Sequence, residues 1–160
     1  MKEYPANKLD PKIKNVWHIS AVIWLTLLFL CIGLCFFIPS FFVPWDGYVI
    51  AGAVTGGLYV LSLVVFVGVL PQVRYIRWRY ELSDDYLDIA KGIIWKHRTI
   101  IPFIRVQNTD TRQGPILRAF SLSSVTVATA AGEHEIPGLD AQVAEELRDR
   151  AAELARIAQE

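Results

Sequence analysis

Charge is scarce in the first half of this sequence: between Lys14 and Arg74 the one charged side chain is Asp46. A stretch of that length without ions is neither a soluble surface nor a disordered segment, so both classes are excluded. Cysteine is nearly absent. Cys31 and Cys35 stand four apart inside an apolar run, which puts them on one helical face and fits neither a redox pair nor a zinc site, so they read as small packing residues. His18, His97 and His134 are too far apart in sequence for a metal-ligand spacing. No sign of charge is in excess, sixteen basic residues cancelling sixteen acidic ones, so the broad basic field that nucleic-acid binding uses is missing. No G-x-S-x-G elbow, phosphate loop or G-x-G-x-x-G is found, and Asp84-Asp85 reads as a solvated turn rather than an acid-base pair. The expectation is a non-enzyme with no catalytic residue, no metal, no cofactor and no nucleic-acid partner.

Apolar residues are what the chain has in abundance, at 53% of the total and a mean hydropathy of +0.34. Residues 19–43 and 48–73 each exceed the roughly 20 apolar residues that cross a bilayer core, and both read as transmembrane helices. Burial of two such helices in a soluble core would need more covering sequence than remains. A cleaved signal peptide would have a shorter apolar region and no second span directly after it. Lys2, Lys8, Lys12 and Lys14 precede the first span, Arg74, Arg77 and Arg79 follow the second, and the connection at 42–48 has no Lys or Arg. Both termini are therefore expected in the cytoplasm, in a multi-pass protein of the inner membrane. Pro44-Trp45-Asp46-Gly47 predicts a tight turn, and Trp17, Trp45, Tyr48, Tyr75 and Trp78 fall where interfacial aromatics belong. Gly52-x-x-x-Gly56 makes a small-residue groove for close helix packing, with the tethered first span favoured as its partner over another subunit.

After the membrane the pattern changes period. Ile76, Trp78, Tyr80 and Leu82 alternate with Arg77, Arg79 and Glu81, and further strands are predicted at 86–90, 93–101, 102–111, 116–122, 124–130 and 133–136. Asp140 then caps a helix predicted over 140–158, with Val143, Leu147, Ala151, Leu154 and Ala158 as its apolar stripe. The domain reading is a cytoplasmic segment at 1–15, a two-helix hairpin at 16–73 and a cytoplasmic domain at 74–160.

Pro102-Phe-Ile-Arg105-Val-Gln107, Gln113-Gly114-Pro115-Ile-Leu117-Arg118-Ala-Phe120, Val127-Ala-Thr129-Ala130 and Ile136-Pro137-Gly138-Leu139 follow one another in order. They resemble the small membrane-anchored bacterial pleckstrin-homology-like (PH-like) proteins. That resemblance implies a membrane α + β fold: a transmembrane helical hairpin, then a small PH-like antiparallel β-barrel of about seven strands capped by the C-terminal amphipathic helix. Ser121 departs from the family's usual glycine, at a cost of roughly 1 kcal/mol if φ is positive there. Arg105, Gln107, Arg112 and Arg118 are the candidate binding residues, as donors suited to carboxylate or phosphate, though for Arg105 and Gln107 the favoured reading is bonding to neighbouring loops that holds the barrel together. Arg74, Arg77 and Arg79 form a basic membrane face, too few for specific anionic-lipid recognition. Two functions are expected to compete: an inner-leaflet module that assembles with itself or a partner membrane protein, and the handling of an anionic membrane lipid or small amphiphile.

Overall fold

The computed structural model describes residues 5–40, 47–93 and 95–159. The chain separates into two compact units, Trp17–Gln72 and a second made of Val73–Glu160 together with the residues up to Val16.

The first unit carries two helices long and apolar enough to cross a membrane, Ile13–Ile38 and Gly47–Arg77. Helix α1 (Ile13–Ser40) starts after Asp10-Pro11, where an Asp10 carboxylate oxygen accepts the Lys12 backbone N–H at 2.8 Å. The second run begins as α2 (Gly47–Leu63) and widens to a π-helical stretch at Val64–Val69 before α3 (Leu70–Arg77). Pro71 supplies the reason, since it has no N–H to give the preceding turn and its ring crowds that turn's carbonyl. The Leu70 N–H accordingly reaches back to the Val65 carbonyl, one residue further than an α-helix allows. Inside a bilayer every polar group needs a partner within the protein. Thr55 and Ser62 donate to the carbonyls of Ala51 and Leu58 at 2.7 Å, and Thr26 and Tyr59 hydroxyls meet at 3.0 Å across the two helices. The turn expected at 44–47, Trp45 included, lies outside the described residues except for Gly47.

Among the described residues the second unit holds six strands in two antiparallel sheets of three, not a closed seven-stranded barrel. β1 (Arg79–Leu82), β2 (Tyr86–Lys91) and β3 (His97–Pro102) form one sheet, and β4 (Val106–Arg112), β5 (Leu122–Thr129) and β6 (Gly132–Asp140) form the other. Two predicted strand segments are helical. Residues up to Arg77 continue the helix that leaves the membrane, and the Arg79 guanidinium closes its end by donating to the carbonyls of Ile76 and Trp78. Residues 115–119 form α4 (Pro115–Ala119), because a proline at the first helical position loses no hydrogen bond. The barrel stays open between β3 and β4, where Pro102 and a 3-10 turn at Phe103–Arg105 interrupt the ladder.

The other gap between the sheets is crossed by the N-terminal segment. Asn7 and Tyr80 exchange two backbone hydrogen bonds at 3.0 and 3.1 Å, and the Asp10 N–H donates to the Gly138 carbonyl at 3.0 Å. Leu9 and Ile13 are buried with Leu87, Ile89, Phe103, Leu122, Val125, Val127 and Ile136 in one core. β6 accommodates the strap through a bulge at Pro137-Gly138, read from the register slip opposite Ser123–Val125. Ile136-Pro137-Gly138-Leu139 is therefore part of strand β6.

That helix, α5 (Ala141–Gln159), begins at Asp140, whose carboxylate accepts the Gln142 N–H at 3.0 Å. It packs on β4, β5, β6 and the 3-10 turn. Its buried line is Ala144, Leu147, Ala151 and Ala155, while Val143 of the predicted stripe is exposed. Alanine on the buried line lets the helix approach the sheet closely.

Ser121 has φ +56°, the left-handed conformation its glycine-like position requires. Ser121→Gly is expected to stabilise the protein by up to about 1 kcal/mol, offset in part by the greater freedom of the unfolded glycine. Denaturant melts in mild detergent test this, and an unchanged or lowered midpoint would oppose it.

Candidate functional site

The break between β3 and β4 leaves one edge of each strand without a strand partner among the described residues. Beside that break lies an open groove of about 850 Å³, lined by Thr99–Pro102, Ile104–Gln107, Thr129–Ala131 and His134. Phe103, fully buried, anchors the corner, and its N–H donates to the Asp85 carbonyl at 3.1 Å. That anchoring leaves Ile104 and Arg105, the next two residues of the turn, exposed at the surface. Gln107 is the extra residue where the β4 register slips between Val106 and Asn108, a bulge that takes it out of the ladder.

Arg105 and Gln107 therefore share this groove, and neither side chain makes a hydrogen bond or ion pair among the described residues. The favoured reading for these two residues, bonding to neighbouring loops, is not realised in the structure. No Asp or Glu lines the groove. Burial first, then nearby Lys91 and His97, push the His134 imidazole below its ordinary value, so it is neutral at pH 7 and offers one donor and one acceptor. The groove thus presents a fork of cationic donors, an amide, two threonine hydroxyls and exposed apolar surface at Ile104. Such a set accepts an extended backbone along a bare strand edge, or an anionic group attached to an apolar chain.

Arg112 and Arg118 do not join this groove. Arg112 ends β4 at the far end from Gln107 and makes an exposed 3.4 Å contact with Glu133, which contributes little to stability. Arg118 lies exposed on α4. Gln113 fixes the connection there by donating to the Leu122 carbonyl at 2.9 Å. Sequence reading did not single out Thr99, Thr129 and His134, which lie on β3, β5 and β6 and are brought to one groove by the fold rather than by any motif.

The basic face is also divided in use. Arg79 is committed to the two helix-end carbonyls, Arg77 is exposed on α3, and Arg74 lies in a separate cleft with Trp78 and the β2–β3 turn. Lys14 Nζ sits 5.0 Å from the centre of the Tyr75 ring. Another basic residue of the unit, Arg98, holds the buried carboxylate of Asp88 through contacts of 2.6 to 3.1 Å. Breaking that pair would strand a charge in the sheet, so its role is structural.

Among the described residues of the hairpin, no atom beyond the helix's own nearby backbone comes within 4 Å of where a Cβ would stand at Gly52 or Gly56. The favoured packing of these glycines against the first span is thus not what joins α1 and α2. Tyr59 does so, through Thr26 and through Phe29, whose ring lies 5.2 Å from the Tyr59 ring. Gly52 instead borders a shallow cleft with Gly33, Phe36 and Thr55.

The Bacterial PH domain family matches this chain over residues 20–155. The "UPF0699 transmembrane protein YdbS" of Bacillus subtilis (strain 168) is 38% identical over 157 residues, which is 98% of this chain and 97% of that protein. No solved structure matches the chain.

Proposed function

The chain belongs to the Bacterial PH domain family, and from that premise we propose that it is a non-enzymatic module of the cytoplasmic membrane that assembles with a partner membrane protein or with a second copy of itself. The observation that carries this reading is the groove between the bare edges of β3 and β4, in which the free Arg105 and Gln107 side chains lie. A strand from the partner adds to such an edge through main-chain hydrogen bonds, and Arg105 engages a carboxylate on it. The open small-residue face at Gly52 and Gly56 offers a second contact within the bilayer. Both termini lie in the cytoplasm on this reading. Support comes from the basic residues flanking the spans and from the bonding of the N-terminal segment to β1 and β6.

A second reading rests on Ile104, exposed beside the free Arg105 guanidinium. Together they suit an anionic amphiphile, with the arginine on its headgroup and the isoleucine on its chain. Arg74 and Arg77 would offer a separate basic surface to a headgroup, and Arg112 and Arg118, outside the groove, would serve as outlying contacts.

Native mass spectrometry of the full chain released from nanodiscs separates the two, combined with a photo-crosslinking side chain at Gln107. The assembly reading expects a complex and a protein adduct at that position, both reduced at least several-fold in Arg105→Glu. A monomer without a protein adduct would refute it. If that monomer retains an anionic lipid lost in Arg105→Gln, the amphiphile reading stands in its place.

A further inference from the structure

The turn between β2 and β3 concentrates apolar surface outside the spans. Trp95 is 85% exposed, more open than any of the large apolar side chains that α1 and α2 turn outward. An indole left in water on a domain with a packed core calls for a partner. The turn is built to present it: Gly92 has φ +120°, and a Cβ there would collide with the Trp95 carbonyl, so the chain closes tightly over the glycine.

Charge around the turn has one sign. Lys91 and Lys96 flank it, and no acidic residue occurs between Asp88 and Asp110. Two acidic residues of the neighbouring strands are engaged by arginines, Asp88 by Arg98 and Glu135 by Arg74. The turn is also next to the point where the chain leaves the bilayer. Arg74 and Trp78 line one cleft with Gly92, Ile93 and Trp95, and Arg74 belongs to α3, which continues the second span without interruption.

We infer that the β2–β3 turn is a membrane-interface anchor, in which Trp95 and Ile93 enter the headgroup region of an anionic leaflet while Lys91 and Lys96 meet its phosphates. Tryptophan is suited to that depth because its ring is apolar and its N–H still reaches a polar partner. Lysine stems lie along apolar surface with the ammonium in the headgroups. Two lysines supply modest attraction, so the indole carries the binding and the charges set the preference for anionic lipid. The β unit thereby gains an attachment to lipid besides its covalent connections to the spans. The inference uses no residue of the β3–β4 groove's donor set and stands whichever partner that groove takes.

The test uses the full chain with Cys31→Ala and Cys35→Ala, carrying a nitroxide at Ile93→Cys with Trp95 intact, in vesicles of phosphatidylethanolamine and phosphatidylglycerol. Collisions with oxygen and with a water-soluble nickel chelate report depth. The expected result is a label about 5–10 Å into the interface, and in Trp95→Ser a label as open to the chelate as one at Arg112→Cys. A label at position 93 that is fully open to the chelate with Trp95 present overturns the inference, as does a depth indifferent to Trp95→Ser. In vesicles of phosphatidylcholine alone the label is expected to be shallower, and equal depth would overturn the part assigned to Lys91 and Lys96.

Discussion

Gly138→Val is expected to lower the stability of the β unit by about 3 kcal/mol and to release the N-terminal strap. Gly138 has φ +64°, and a Cβ there would fall 2.3 to 2.6 Å from the side-chain carbons of Ile13. A side chain in the left-handed conformation costs roughly 1–2 kcal/mol, and overpacking a filled site adds about 1–3 kcal/mol. Ile13 has little room to yield, because it is itself buried in the core that joins the two sheets. The strap should then lose its hold at the Asp10 N–H to Gly138 carbonyl bond first. A lowered denaturant midpoint in detergent, together with faster protease cleavage before Ile13, would bear this out. Unchanged melting with the strap still protected would mean that the bulge tolerates a side chain and that the close contact with Ile13 has no energetic weight.

Phe103→Ala is expected to cost about 3–5 kcal/mol, the range for removing a large aromatic from a core. Phe103 is fully buried, and its turn packs against α5 while joining the two sheets. That loss is a large part of the roughly 5–15 kcal/mol that holds an ordinary domain together. The effect should extend to the groove, because the next two residues are Ile104 and Arg105. Thermal melting and the crosslinking yield at Gln107 are to be measured together, at a temperature where the variant is folded. A drop in both would tie the groove to the core. A stable variant with unaltered crosslinking would show that the corner is held by Pro102 and the ladders alone.

The spans are legible in the sequence because apolar residues on every face leave no soluble alternative, and the switch to strands is legible because alternation at period two begins directly after them. The PH-like resemblance over residues 102–139 agrees with the family match, whereas strand count and closure do not follow from it. Residues 74–77 illustrate the limit. Their alternation suits a strand, yet a helix already formed in the membrane propagates at little expense beyond it. Residues 116–122 mislead as well, since the strand predicted there is in large part a helix that starts at Pro115. The groove was only partly visible. Arg105 and Gln107 stand out as donors among strand residues, but that their neighbours are two bare edges depends on pairings between segments distant in sequence. The strap was hidden most completely, because Leu9 and Ile13 sit among lysines whose charges account for topology without any packing role.

That strap also orders events in time. Its bonds to Tyr80 and Gly138 span both transmembrane helices, so they have some of the largest sequence separations in the chain. Such closures are entropically late and make folding slow. Residues 7–13 emerge first from synthesis but have nothing to bind until β6, near the other end, has been made. Leu9 and Ile13 therefore stay unsheltered until nearly the whole chain has been made, and the strap is among the last parts of the unit to dock.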